Sequence, residues 1–199
     1  SSRYNSGIRV QSNTGNGTLA ITGAKVTASS SYIDYGVHIW CGDSSNASLT
    51  VNGGSLTATG RGASFAGIMM QFGSGGSGTG MPTVTVSGNA TVRANGSAGG
   101  IASNSSAEVQ TAAGTGESGG IVFDNGTGTV YGDVTLQENL EIGKDETLTI
   151  GQDASFTVPS DKTLTNNGTI DNSGTLTNNG KIINYGTING RVTGNGTVA

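Results

Sequence analysis

Residues that could do chemistry are sparse in the first half of this chain. Asp34 and Asp43 are the only acids between positions 1 and 107, and they flank His38, the only histidine. A polysaccharide-cleaving enzyme needs convergent carboxylates, either a pair for hydrolysis or several around Ca²⁺ for a lyase reaction. A solvated histidine between two loop acids is the more ordinary arrangement. We therefore predict no catalytic residues and no enzymatic activity.

The remaining acids lie mostly between Glu138 and Asp161. Glu138, Glu141, Asp145 and Glu146 lie near Lys144 and are expected to be solubilising charges at corners of the fold. Ca²⁺ bound by these acids is the alternative, although the tandem Gly-rich nonapeptide that binds Ca²⁺ between coils is not present. We expect no metal site and no cofactor.

A candidate binding surface surrounds Trp40, the only tryptophan. Strand alternation predicts that Arg9, His38, Trp40 and Gln71 form an exposed stripe on one outer face. An exposed aromatic ring on such a face can stack on a sugar ring. In the alternative interpretation, Trp40 only covers a neighbouring loop.

A repeat fold must position these residues, and its clearest signal runs from 166 to 189. Gly168, Gly174, Gly180 and Gly186 recur at every sixth position. One aliphatic residue and one asparagine keep the same step: Ile170, Leu176, Ile182 and Ile188, with Asn166, Asn172, Asn178 and Asn184. One aliphatic per six residues is too sparse for a helix face, whereas Thr and Ile favour strands and Asn and Gly favour corners. We predict short strands whose asparagines hydrogen-bond along the coil axis.

A longer repeat, of about 30 residues, precedes this one. Its copies start with a glycine and an aliphatic residue, at Gly7, Gly36, Gly67, Gly100 and Gly120. Similar segments follow at 18–28, 48–58 and 83–94, so each long coil is predicted to hold three strands: a Gly-Ile strand, a Leu-x-Val strand and a Leu-Thr-Ala strand.

Strand alternation assigns faces to the Gly-Ile strands. The expected inward residues are Ile8, Val37, Ile68, Ile101 and Ile121, with Val10, Ile39, Met70 and Phe123. The expected outward residues are Arg9, His38, Met69, Ala102 and Val122, then Gln11, Trp40, Gln71, Asn104 and Asp124. We predict an all-β, single-stranded, right-handed parallel β-helix (β-solenoid) over 1–199. It has about three short strands per coil, with wider coils in 1–125 and narrower coils in 126–199.

These motifs resemble the right-handed parallel β-helix modules of long secreted surface proteins from Gram-positive gut bacteria. The resemblance is carried by the Gly-Ile strands, by segments such as 48–58, and by the tandem Asn-x-Gly-Thr-Ile repeats. It implies an adhesin-like or carbohydrate-associated role and brings no catalytic motif. Enzymes with the pectin lyase-like fold share the architecture, but fold does not imply function.

Composition excludes several classes of protein. Nine Lys and Arg and a net charge of -4 leave no basic patch for nucleic acid. A run of some 18 apolar residues is absent, so we expect no transmembrane segment. The single Cys41 excludes an internal disulfide. We expect an extracellular or bacterial cell-surface location, neighbouring domains in a longer chain, and a cap or self-association at the solenoid ends.

The leading functional prediction is a non-enzymatic, adhesin-like module that projects or presents a binding face, with a host or cell-wall glycan or another surface protein as partner. The first alternative is a carbohydrate-binding or polysaccharide-processing β-helix that uses the face around Trp40. The second is ice binding by outward Thr ranks. Thr-Leu-Thr occurs at 147–149, 163–165 and 175–177, although these spacings do not keep a single face in register.

Overall fold

The computed structural model describes residues 6–42, 44–73, 81–105, 107–111 and 118–199. Asp43, one of the two acids considered with His38, lies outside these ranges. All regular structure in the described residues consists of β-strands. No helix in this part of the chain has the length and apolar character needed to cross a membrane.

Up to position 124, the described residues form ten strands. They are β1 (Ile8–Ser12), β2 (Gly15–Ser29), β3 (Val37–Cys41), β4 (Ser45–Thr59), β5 (Ile68–Phe72), β6 (Pro82–Ser87), β7 (Ala90–Asn95), β8 (Ile101–Ser103), β9 (Val109–Thr111) and β10 (Gly120–Asp124). The Gly-Ile strands β1, β3, β5 and β8 pair in parallel in that order and form one wall. In the other wall, β4 pairs with β2 on one side and with β6 and β7 on the other.

The second wall differs from the prediction of two separate strands per coil. In the first two coils the Leu-x-Val and Leu-Thr-Ala segments join into single strands of 15 residues. Each strand bends at glycines with positive φ, Gly23 (60°) in the first coil and Gly53 (69°) in the second. Gly88 and Asn89 (64° each) break the third copy into β6 and β7. Glycine and asparagine tolerate this left-handed conformation, which explains their place at the corner.

The predicted inward stacks form the first hydrophobic core. Leu19 pairs with Leu49, and Leu49 with Val84, in the expected register. Leu49 and Val84 have no exposed surface. The wall of Gly-Ile strands contributes Val37, Ile39 and Ile68, which are also fully buried. Apolar residues at alternate positions therefore fill the space between the two walls.

The second half contains twelve shorter strands. They are β11 (Thr127–Tyr131), β12 (Asp133–Thr135), β13 (Leu140–Ile142), β14 (Thr147–Ile150), β15 (Ser155–Val158), β16 (Thr163–Asn166), β17 (Thr169–Asn172), β18 (Thr175–Asn178), β19 (Lys181–Asn184), β20 (Thr187–Asn189), β21 (Val192–Thr193) and β22 (Thr197–Val198). Every third strand pairs in parallel, so the chain builds three walls: β11-β14-β17-β20, β12-β15-β18-β21 and β13-β16-β19-β22. Ile170, Leu176 and Ile182 are fully buried in the second core. This winding is consistent with the predicted β-solenoid.

The repeated asparagines tie neighbouring coils together. The Asn166 side-chain amide donates to Asn184 Oδ1 at 2.8 Å, which is the predicted contact between stacked asparagines. Asn172 and Asn178 instead donate to backbone carbonyls of the next coil, those of Arg191 (2.7 Å) and Thr197 (2.9 Å). The side chains replace backbone partners that the corners leave unsatisfied.

The two halves meet at a β-hairpin. β10 pairs in parallel with β7 and antiparallel with β11. Its two-residue turn is Asn125 (φ 45°) and Gly126 (φ 85°), the residue pair that favours a type I′ hairpin. Strand direction reverses here, and β14, β17 and β20 then run parallel to β11. The sequence prediction of uniformly parallel strand pairing is therefore wrong at this hairpin.

The hairpin also corrects the position of Gly120 and Ile121. These residues were predicted to start another Gly-Ile strand, but Ile121 lies opposite Thr91 in the second wall. Val122 was predicted to face outward and is buried in the first core, whereas Ile121 and Phe123 are buried in the second. Alternate residues of one strand thus face different cores. The cores lie on opposite sides of a shared ten-stranded sheet.

Candidate functional site

The structure places the four predicted stripe residues on one face of the Gly-Ile wall. Arg9 lies beside His38, and Trp40 lies between Gln11 and Gln71, in the ladder β1-β3-β5. Arg9 is exposed, and Trp40 and Gln71 are half-buried. The predicted grouping is therefore present, but the surface is less open than strand alternation suggested.

The expected exposure of His38 is wrong, because only 1% of its surface is accessible. The Tyr35 ring lies 5.0 Å from the imidazole and itself packs edge-on against Phe65. His38 Nε2 and Gln71 Oε1 are 2.8 Å apart. Burial lowers the pKa of His38, with a smaller contribution from the charge of Arg9, while the Gln71 hydrogen bond opposes the shift.

Asp34 also differs from the solvated loop acid expected, since it is 2% exposed. Its backbone exchanges two hydrogen bonds with Arg61, at 3.0 and 2.8 Å. Its carboxylate accepts from the backbone N–H of Tyr35 at 2.7 Å. These hydrogen bonds hold the segment that covers His38 against a turn of the next coil. Strand alternation alone gave no sign of this contact between coils.

Trp40 packs along its own wall. A Cβ built on Gly73 would lie 3.4 Å from the indole ring, and one built on Gly42 would lie 3.6 Å from it. The ring thus passes over two glycine positions of neighbouring corners. This geometry agrees with the interpretation in which Trp40 covers a neighbouring loop.

A different concave site lies at the junction of the two cores. The outer face of the second wall meets the segment 136–141, which leads into β13 in the first coil of the second core, and together they enclose about 180 Å³. The surface forms a step at this place, because the second core lies on the opposite side of the shared sheet from the first. We name this site the corner cleft.

The floor of the corner cleft consists of outward side chains from the third segments of three coils. Lys25, Ser55 and Thr91 form one column, and Thr57 and Arg93 form part of the next. The β-ladder spaces these side chains regularly, at about 4.8 Å between strands. The floor is therefore polar and rigid.

The wall of the corner cleft is tied to this floor. Arg93 forms an ion pair with Glu146 and donates to the backbone carbonyl of Glu141. Its guanidinium carbon lies 3.9 Å from the centre of the Phe123 ring, which belongs to the second core. Asn89 Oδ1 accepts from the backbone N–H of Thr135 at 2.8 Å. These contacts fix the angle at which the wall rises from the floor.

The acids near the cleft do not converge. Glu146 pairs with Arg93, and Glu141 Oε1 accepts from Asn167 at 2.8 Å. Within the described ranges, no three His, Cys, Asp or Glu side chains are arranged to hold a metal ion. The arrangement favours hydrogen bonding to a ligand over acid–base chemistry.

Sequence reasoning placed Glu138 and Glu141 at corners but did not identify the corner cleft. Its residues come from parts of the chain more than 100 positions apart. The Asn125–Gly126 hairpin signal was available in the sequence and would have indicated the reversal that creates the step.

Comparison of the chain with protein-family models, with curated proteins and with solved structures found no match.

Proposed function

We propose that this chain is a non-enzymatic structural module of a secreted or cell-surface bacterial protein, adhesin-like in role, which holds a binding face away from its attachment point. The observation that carries the proposal is the shared sheet, which continues through both cores. We also propose that the chain winds in a right-handed sense, because crossover connections between parallel strands are right-handed in about 98% of cases. Both halves would have the same hand, since strand direction and core side change together at the hairpin.

The shared sheet suits a rigid spacer. Counted through β4, β7, β10, β11, β14 and β17, seven strand-to-strand steps separate β2 from β20. At about 4.8 Å per step the span is roughly 34 Å. Buried side chains stack along this axis in both cores, so bending would open packed contacts.

Rigidity can be tested by double electron–electron resonance, which measures the distance distribution between two spin labels. The labels are attached at Thr27→Cys and Asn189→Cys, and both positions are exposed. The buried Cys41 is replaced by alanine in this variant to keep labelling specific. We expect a single narrow distance distribution near 35 Å, broadened only by the label linkers. A broad or bimodal distribution would mean that the two halves move independently and would refute the spacer role.

Location is tested separately by antibody labelling of intact cells that produce the protein. Labelling without permeabilisation is expected. Signal that appears only after permeabilisation would contradict a surface role, whatever the rigidity of the chain.

A second candidate function is ice binding, and strand register favours it. The three Thr-Leu-Thr motifs lie on three different walls, in β14, β16 and β18, so they do not form one face. Other threonines, however, align in two ranks of four: Thr127, Thr147, Thr169 and Thr187, and Thr135, Thr157, Thr177 and Thr193. Beside the second rank, Ser155 pairs with Thr175 two residues away along the strands.

Such ranks present hydroxyls at about 4.8 Å along the axis and about 6.7 Å along the strand. Regular hydroxyl spacing on a flat, rigid face can order water in an ice-like array. Thermal hysteresis measured for the intact chain tests this candidate. We expect Thr157→Tyr to abolish any hysteresis and Thr163→Tyr, on another wall, to leave it unchanged; freezing-point behaviour no different from albumin would exclude ice binding.

A further inference from the structure

We propose that the corner cleft is a binding site for a neutral oligosaccharide, with Lys25, Ser55, Asn89, Glu138 and Asn139 as contact residues. The inference deepens the proposed function, because it names the face that the module presents and the class of ligand. It places carbohydrate recognition at the junction of the cores and not on the face around Trp40.

The free hydrogen-bonding groups of the cleft match the chemistry of a sugar. Asn89 and Asn139 each use the side-chain oxygen to accept from a backbone N–H, those of Thr135 (2.8 Å) and Thr163 (2.9 Å). Both side-chain NH₂ groups remain available as donors within the described structure. Fixing the oxygen also fixes where the NH₂ group points. Vicinal sugar hydroxyls need such oriented donors together with acceptors.

Acceptors lie on the same walls. The Glu138 carboxylate has no protein partner among the described residues, and the hydroxyls of Ser55, Thr57 and Thr91 line the floor. Each hydroxyl supplies one donor and two acceptor positions. A polyhydroxylated ligand can satisfy both kinds of group, whereas an apolar ligand would remove them from water and leave them unpaired, which is unfavourable.

The charges favour a neutral ligand. Arg93 is already paired with Glu146, and the cleft lining contains the Glu138 carboxylate as well as the Lys25 ammonium group. A phosphate or uronate would meet a single available cation and at least one facing carboxylate. The cleft therefore has no net positive charge to offset the desolvation of an anion.

Cleft size sets the length of ligand that is held. About 180 Å³ is below the 300–1,000 Å³ of sites for drug-sized ligands. We expect about one sugar ring to seat in the corner, with adjoining rings lying along the Ser55 and Lys25 columns. Affinity in the micromolar to millimolar range would follow from so small a contact.

Calorimetric titration with neutral hexasaccharides of β-1,4-linked glucose, mannose and N-acetylglucosamine tests the site, with hexagalacturonate as the anionic comparison. We expect at least one neutral probe to bind and hexagalacturonate to bind at least tenfold more weakly. Ser55→Trp, which fills the floor, should abolish binding, and its matched control Thr85→Trp, outward on a neighbouring segment, should not. Asn139→Asp keeps the acceptor for Thr163 and removes the NH₂ donor, so we expect a threefold to tenfold loss.

Glu138→Gln tests the site with a variant that is expected to fold normally, because Glu138 is exposed and has no protein partner in the described structure. It should weaken binding threefold or more while the circular dichroism spectrum stays unchanged. Failure of all neutral probes to bind would overturn the proposal, as would binding that survives Ser55→Trp and is lost in Trp40→Ala. Neither result would alter the spin-label distance or the cell labelling, so failure of the cleft is distinguishable from failure of the structural role.

Discussion

Replacing Gly128 by alanine tests the hairpin that joins the two cores. Gly128 lies opposite Phe123 across β10 and β11. An alanine Cβ at position 128 would lie 2.4, 2.7 and 2.9 Å from three atoms of the Phe123 ring. The ring is 1% exposed, with Arg93 3.9 Å from its centroid. Because the ring is buried and covered by Arg93, it cannot swing out to solvent, so the Gly128→Ala variant is overpacked.

The magnitude follows from two opposing effects. Overpacking a core costs about 1 to 3 kcal/mol, and Gly→Ala recovers only about 0.4 to 1 kcal/mol through the unfolded state. We expect Gly128→Ala to lower the free energy of unfolding by about 1 to 2 kcal/mol. Phe123→Ala should cost about 3 to 5 kcal/mol. In that background, Gly128→Ala refills part of the cavity and should become stabilising by about 1 kcal/mol.

Urea unfolding followed by far-ultraviolet circular dichroism measures all four states of this cycle. Gly151→Ala is the matched control, because its Cβ would have no atom within 4 Å and its φ is not positive. It should be neutral or slightly stabilising. The expected coupling between positions 123 and 128 is about 2 to 3 kcal/mol. If Gly128→Ala behaves like Gly151→Ala, or if its cost persists without the Phe123 ring, the packing of this hairpin is not as described.

Three further predictions concern single side chains. The folded-state pKa of His38 lies below its unfolded value of about 6.5, so the unfolded chain binds the proton first. The stabilising contribution of His38 is therefore complete above about pH 6.5. It falls as the pH drops toward the folded-state pKa, by at most about 1.4 kcal/mol per pH unit. His38→Gln should flatten this pH dependence of the free energy of unfolding, measured by urea titrations from pH 5.5 to 7.5. Asn178→Ala should lower the free energy of unfolding by about 2 to 3 kcal/mol, because the Asn178 side chain is 2% exposed and hydrogen-bonds both a carbonyl of the next coil and a local N–H. Asn172 is half-buried, so Asn172→Ala should cost about 1 kcal/mol in the same assay. Arg93→Lys should cost about 1 to 2 kcal/mol in thermal or urea unfolding, because a lysine cannot at the same time pair with Glu146, donate to the Glu141 carbonyl and cover the Phe123 ring.

Each of these predictions has an outcome that contradicts it. A pH profile that is the same with and without the histidine would mean that His38 is solvated. Equal losses at positions 172 and 178 would mean that burial does not set the cost of these bonds. An unchanged stability in Arg93→Lys would mean that the charge alone matters at the junction.

Much of the fold was predictable from local pattern. The six-residue step of Ile170, Leu176 and Ile182 predicted their burial, because side chains of a strand alternate and neighbouring coils bring the same position together. The pairing of Leu19, Leu49 and Val84 followed from aligning three copies of one segment. These features depend on residues close in sequence or equivalent in a repeat.

Residues brought together across repeats were harder to predict. His38 alternates outward as expected, but Tyr35 covers it because backbone bonds hold Asp34 against Arg61 in the next coil. Ile121 follows a glycine like its predecessors, yet the spacing of 20 residues from Gly100, shorter than the earlier steps, already departed from the repeat. The prediction followed the Gly-Ile motif and did not take account of the shorter spacing.

The sequence by itself determined that the chain forms short strands with an apolar residue facing inward at regular intervals, because strand propensity, corner residues and periodicity are local properties. Only the tertiary structure decided on which side of the sheet each core lies. The Asn125–Gly126 turn reverses the chain, and the alternation of Val122 and Phe123 then directs neighbouring side chains into different cores. The corner cleft follows from that change of side, and it has no signature within any single repeat.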